Sequence, residues 1–246
     1  MSKGWLSLWR EKGTVPAPSG MGVRLPTLVT ARDVETVARA EADNRGRLVV
    51  GFDTTASRET AWEAFAKPLQ DRLLASLPPG LLVALALHGG SRLHTFTRFT
   101  SDVGELRDVA AGVRCKAGST RLLDILDRVV KLRRVGVVLY VGDAFEESRK
   151  RARRLADELL LNETRVIILH DGPPPDEFGE ITERTGGALL PFNAASLAEL
   201  GDLLEAIAVL AVGDVELLKA KQPELPAATL LLENLSDRKR IGGRRV

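Results

Sequence analysis

The hydrophobic pattern alternates short apolar runs with amphipathic stretches from Arg47 onward. Leu48-Val49-Val50-Gly51-Phe52 and Val135-Gly136-Val137-Val138-Leu139-Tyr140-Val141 are nearly continuous apolar runs, the mark of strands buried on both faces. Between them, Trp62, Phe65, Leu69, Leu73 and Leu77 recur at helical spacing; Pro68 is placed to kink that helix and Pro78-Pro79-Gly80 to stop it. Leu81 to Leu87 and Leu93 to Phe99 read as two strands joined by His88-Gly89-Gly90-Ser91. So short a connection holds no crossover helix, so the pair is expected to be antiparallel, with the second strand at the sheet edge. The remaining pattern predicts a helix over Leu122 to Leu132, a strand to Tyr140, a helix from Glu146 to Leu161, a strand over Arg165 to Leu169, a helix over Asp176 to Thr185, a strand over Ala188 to Pro191, and a helix capped by the box Ser196-Leu197-Ala198-Glu199.

This order predicts an α/β fold: a doubly wound, mostly parallel six-stranded sheet with one antiparallel edge strand and helices on both faces. The usual strand order of such sheets sets the first strand beside the fourth, so the residues ending them, Asp53 and Asp143, are expected to meet where the order reverses. Three segments are expected: 1–44, an N-terminal arm and short helix; 45–212, the α/β domain; and 213–246, an extension ending in a basic tail. Trp5, Leu8 and Trp9 have helical spacing in the arm, which reads as docking on the domain. Val34, Val37 and Ala38 suggest the short helix, and Val215 to Lys221 another past the domain. Leu230 to Leu232 are expected to pack back on the domain.

The strand ends carry the candidate chemistry. Asp53-Thr54-Thr55-Ala56-Ser57 puts one carboxylate and several hydroxyls where a strand gives way to a helix, Thr120 precedes the helix beginning near Leu122, and Gly142-Asp143 ends the fourth strand. Oxygen donors without a nearby His or Cys select magnesium or manganese over zinc or copper. Singly, each of these residues would serve equally as a helix cap or strand terminator; together at one sheet edge they point to a cation.

These residues resemble the metal-ion-dependent adhesion site of the von Willebrand factor type A (VWA) domain, whose pattern is Asp-x-Ser-x-Ser, then a distant Thr, then a distant Asp. Asp53, Thr55, Ser57, Thr120 and Asp143 fill those places, with Thr55 where the family usually has Ser. Phe52 to Arg58, Gly112 to Cys115 and Val141 to Glu147 are also similar to strings in a bacterial group of such proteins, and the resemblance covers roughly residues 45 to 212. It implies that Thr55 and Ser57 bind Mg2+ (or Mn2+) directly, that Asp53 and Asp143 act largely through waters, and that Thr120 joins when a ligand binds. The implied function is a metal-dependent protein-binding module that captures an Asp or Glu of a partner protein, not an enzyme.

The runner-up is a magnesium phosphohydrolase with Asp53 as nucleophile, but Thr55 stands where a second acid is wanted and no strand-end Lys is evident. A dinucleotide enzyme is weaker still, because no Gly-rich turn follows the first strand. The 246 residues carry 35 basic and 33 acidic side chains, a net +2 that gives no reason to expect a nucleic acid. The basic tail 237–245 and the Arg149 to Arg154 cluster read as solvated, a minor nucleic-acid role remaining the third class. His88, His94 and His170 lack metal spacing and read as ordinary strand-end residues. Cys115, the single cysteine, excludes an internal disulfide and reads as a small, partly buried hydrophobe. No apolar stretch reaches the about 20 residues that span a bilayer, and Arg10 interrupts the start too early for a signal peptide, so a soluble cytoplasmic chain is expected.

Overall fold

The computed structural model describes residues 46–236 apart from 75–76 and 193–196. The Trp5 and Trp9 arm, the short helix near Val34, the cap residue Ser196 and the tail 237–245 lie outside the described residues. The elements run β1 (Gly46–Asp53), α1 (Glu59–Pro68), β2 (Leu81–Gly89), β3 (Arg92–Phe96), α2 (Val103–Ala111), α3 (Leu122–Val129), β4 (Val135–Gly142), α4 (Arg149–Leu161), β5 (Arg165–His170), α5 (Asp176–Thr185), β6 (Ala188–Pro191), α6 (Leu197–Val212), α7 (Val215–Lys221) and α8 (Pro226–Asn234). The strand order is β3-β2-β1-β4-β5-β6. All neighbours are parallel except β2 and β3, which form the expected hairpin with β3 at the edge.

Alternation along the strands sorts the core into two layers. Leu48, Val50, Phe52, Leu139 and Val141 face α1, α6 and α8, where Trp62, Phe65, Leu204, Ile207 and Leu231 are buried. Val49, Val138, Tyr140 and Ile168 face α3, α4 and α5, against Leu123, Leu126, Leu155, Phe178 and Ile181. Leu218 of α7 joins the first layer, so the helices beyond residue 213 share the domain's core. β1 is central: the chain leaves it for β2 on one side, while β4, β5 and β6 build outward on the other. The strand order reverses at the carboxyl ends of β1 and β4, where doubly wound sheets open a crevice.

Four details depart from the sequence expectation. A helix, α2, is inserted before α3, capped by the Asp102 side chain accepting from the Glu105 N–H. β3 ends at Phe96, with only a single bridge from Val83 to Thr100 beyond it. β2 runs on to Gly89, so His88 is a strand residue rather than part of the turn. Finally, α4 begins at Arg149 rather than Glu146, its N-terminus capped by Ser148, because Glu146 and Glu147 are held by the chain before and within α3. Past Pro68 the chain passes into a π-helical turn, Leu69–Leu73. A proline lacks an N–H and crowds the carbonyl four residues back, which disfavours continuation of the α ladder.

Of the five basic side chains of α4, Arg149, Arg151, Arg153 and Arg154 are each held by a carboxylate, from Glu177, Asp124, Glu180 and Glu158 respectively. No helix among the described residues is long and apolar enough to cross a membrane.

The far end of the sheet is closed by α6 passing directly over glycines. A Cβ on Gly46 would meet the Ala211 carbonyl oxygen at 2.4 Å, and one on Gly136 would meet it at 2.8 Å. Gly136→Val is therefore expected to displace α6 and lower stability by about 1–3 kcal/mol in urea denaturation. An unchanged midpoint would show that this approach is not tight.

Candidate functional site

Four strands bring side chains to the reversal point. Asp53 ends β1 and pairs in register with His88 of β2; Asp143 follows the last residue of β4, and Asp171 the last of β5. Asp53 is fully buried. Its Oδ1 accepts the Thr55 N–H at 2.9 Å, an Asx-type turn that carries the backbone from strand into the single 3-10 turn Ala56–Arg58. Its Oδ2 is buried without a hydrogen-bond partner among the described residues. Burial raises the Asp53 pKa, the Thr55 hydrogen bonds oppose this, and the Asp143 charge adds to the rise.

Thr55 is buried and Ser57 exposed, and their hydroxyl oxygens lie 3.3 Å apart beside this carboxylate. Asp143 is half-buried, 3.8 Å from an Arg58 Nη. Thr120 is buried in the loop before α3. Its hydroxyl accepts the Glu146 N–H at 3.1 Å while its own N–H donates to the Glu146 carboxylate at 3.0 Å. This reciprocal pair ties Thr120 to the loop that Asp143 begins. Thus Asp53, Thr55 and Ser57 form one cluster, Asp143 couples to it electrostatically, and Thr120 joins through Glu146, with no direct hydrogen bond to the other four among the described residues.

Arg58 is a participant that sequence reading missed. Its guanidinium is 3% exposed, donates to Asp171 at 2.6 Å, and leaves Nε and Nη2 without partners among the described residues. Its place in the string that follows Asp53 was the available signal. Counted ionised, Asp53, Asp143 and Asp171 against Arg58 leave two uncompensated negative charges at this edge. No three His, Cys, Asp or Glu side chains converge as a metal cage among the described residues, so a cation held here would rely on hydroxyl and water oxygens as well. Cys115 is partly buried against the core, and burial raises its thiol pKa.

Behind Asp53 lies a buried pair. His88 Nε2 is 2.9 Å from the Tyr140 hydroxyl, and His88 Nδ1 is 3.7 Å from Asp53 Oδ1. Burial keeps Tyr140 protonated, well above its usual range, and His88 Nδ1, facing the carboxylate, is buried without a hydrogen-bond partner among the described residues. His94 stands apart at the surface, where its Nε2 meets the Thr54 hydroxyl at 3.0 Å.

The sheet order and helix placement are those of a VWA-like α/β fold, as the sequence resemblance implies. No protein-family model and no curated protein matches the sequence. Among solved structures the chain is similar to an aerotolerance-related membrane protein from Bacteroides fragilis carrying multiple mutations to serines, at 14% identity and TM-score 0.51, covering 68% of this chain and 98% of that one. It is also similar to proximal thread matrix protein 1 of the mussel byssus, at 14% identity and TM-score 0.50, over 69% and 47% of the two chains. The SpRpn10 VWA domain aligns at 14% identity and TM-score 0.47, over 64% and 94%. At such identities the likeness is one of fold.

Burial lowers the His88 pKa to about 3, with His94 and Arg121 adding to the drop. The unfolded chain takes up this proton near 6.5 and the folded chain resists it, so stability is full above that value and declines on acidification. The decline is on the order of 2 kcal/mol by about pH 5. Asp53, raised by burial, has the opposite sign, losing its contribution as pH rises, and is common to both proteins in the comparison. Urea midpoints of His88→Gln should therefore vary less between about pH 6.5 and 5 than those of the parent; parallel profiles would refute a buried neutral His88.

Proposed function

We propose that the chain is a protein-binding module whose carboxyl-edge site holds Mg2+ or Mn2+ through Asp53, Thr55, Ser57, Thr120 and Asp143, and presents it to an Asp or Glu of a partner protein. The observation that carries this reading is Asp53, a carboxylate buried at the reversal point with one oxygen unpartnered among the described residues, in a cluster where Asp53, Asp143 and Asp171 face the single guanidinium of Arg58. A group so placed costs stability unless its charge is met. The donor set fits: carboxylate and hydroxyl oxygens suit a hard divalent cation.

When bound, such a cation would supply a positive centre for an incoming carboxylate. Within the chain, the Thr55 N–H fixes the Asp53 carboxylate, and the Asx-type turn sets the Thr55 and Ser57 hydroxyls side by side. Arg58 donates to Asp171 and lies 3.8 Å from Asp143, so one guanidinium links the ends of β4 and β5. The Thr120–Glu146 pair holds two loops against each other, and exchange of that pair would let Thr120 turn toward the site.

Titration calorimetry with MgCl2 and MnCl2 tests the cation. Asp53→Ala, Ser57→Ala together should weaken binding at least about tenfold. Equal binding by the folded double variant and the parent would remove the assignment.

Thr55 stands where a second acid would assist, and the Arg58 guanidinium is engaged by Asp171, which weighs against Asp53 serving as a phosphoryl nucleophile. A panel of phosphoesters and nucleotides with magnesium should accordingly show no turnover. Turnover abolished by Asp53→Asn would instead establish the hydrolase.

A further inference from the structure

The β2–β3 hairpin and the loop 112–121 enclose a cleft of ≈540 Å³ beside the candidate cation edge. Thr54, which lies between Asp53 and Thr55, joins the two: its carbonyl accepts the Lys116 N–H at 2.9 Å, and its hydroxyl meets His94 Nε2 at 3.0 Å. The loop is fixed from both sides. Gly90 N–H donates to the Lys116 carbonyl at 3.2 Å, Ser119 N–H to the Ser91 hydroxyl at 2.9 Å, and Arg121 Nε–H to the Ser91 carbonyl at 2.8 Å.

Arg92, Arg114 and Lys116 line this cleft, all exposed. None forms an ion pair with a carboxylate among the described residues, although Asp108 also lines the cleft. This sets them apart from α4, whose four arginines are individually neutralised. Unpaired like charges gathered in a concavity repel one another and raise the local concentration of anions. His94 registers the field: burial lowers its pKa, and Lys116 and Arg92 lower it further.

Resting on the cation reading above, we propose that this cleft is the second half of the docking surface, and that it holds further carboxylates of the acidic peptide segment whose Asp or Glu reaches the cation. A free phosphate fits less well. A phosphate cradle uses converging backbone N–H groups, whereas those of Gly90 and Lys116 are spent on carbonyl oxygens. What remains is the ends of three long cationic side chains spread along a groove, which suits an extended segment with several carboxylates.

Fluorescein-labelled hexaglutamate, followed by anisotropy in magnesium and in chelator, is the probe. Arg92→Glu, Lys116→Glu together should weaken its binding at least about tenfold in both conditions. Arg92→Ala, Lys116→Ala should weaken it in the same direction by less. Lys150→Glu, a charge reversal at an exposed position of α4, should change it less than about twofold. Circular dichroism checks that each variant is folded. Binding that needs magnesium but ignores both paired substitutions overturns the cleft and leaves the cation reading standing. Binding that depends on the cleft yet is equal in magnesium and chelator supports the cleft and removes the cation from the surface. Equal losses from Lys150→Glu and the paired reversal, displacement of the peptide by inorganic phosphate at equal concentration, or no detectable peptide binding would each overturn the proposal.

Discussion

The constraint on which the structure turns is the central placement of β1. Because both its neighbours, β2 and β4, are parallel to it and both its faces are covered, its last residue ends in the interior rather than at a solvated rim. That residue is Asp53. A carboxylate there forfeits hydration and must be compensated by whatever the adjacent strand ends bring, so the chemistry of this edge is dictated by the sheet. Thr55 gives one N–H and His88 turns a neutral imidazole toward it, and neither neutralises the charge.

The other acids of the edge are distinguished by how well they are satisfied. Asp171 takes the Arg58 guanidinium directly. Glu146 and Glu147 accept backbone N–H groups of Thr120 and Leu123 around the start of α3, where the helix dipole favours them. Burial still lifts Glu147 to about 7, the Leu123 hydrogen bond notwithstanding. These three acids serve the architecture of the loops. Asp53 and Asp143 have the weakest compensation, and they are the two acids that the sequence motif singles out. The agreement between motif and electrostatic deficit is what gives the edge its functional interest.

Local pattern was sufficient wherever a residue's role depends on its own neighbours. Continuous apolar runs marked β1 and β4 as buried on both faces, and the bounds of α5, β6 and α7 were legible to the residue because apolar spacing and flanking turn residues coincide there. The omissions have a common cause. α2 presents only Leu106 and Ala110 as buried residues and carries Gly104 in its first turn, so its stripe is too short to register. Glu146 and Glu147 continue the helical pattern of α4 but are drawn out of it by N–H groups 24 to 26 residues away. Arg58 looks like a surface residue until Asp171, 113 positions later, is brought beside it. His88 reads as a turn residue until Tyr140 is stacked on it across β1. Pairings of this range are set by strand order, and no window of sequence contains both partners.

The juxtaposition of the two surfaces bears on how recognition would be controlled. The edge at Asp53 and Asp143 carries excess negative charge, while the cleft one residue away at Thr54 is lined by unpaired positive charge. Without a cation, an acidic segment would be drawn to Arg92, Arg114 and Lys116 and repelled at the edge, so only half of it could dock. A divalent cation at the edge would cancel that repulsion and offer a coordination position, making both halves attractive to the same ligand. The metal would then act as a condition on engagement as well as a contact, because it alone changes the sign of half the surface. A neutral or basic partner would gain nothing from the change, so discrimination against wrong partners would rest on the cleft and on the cation jointly.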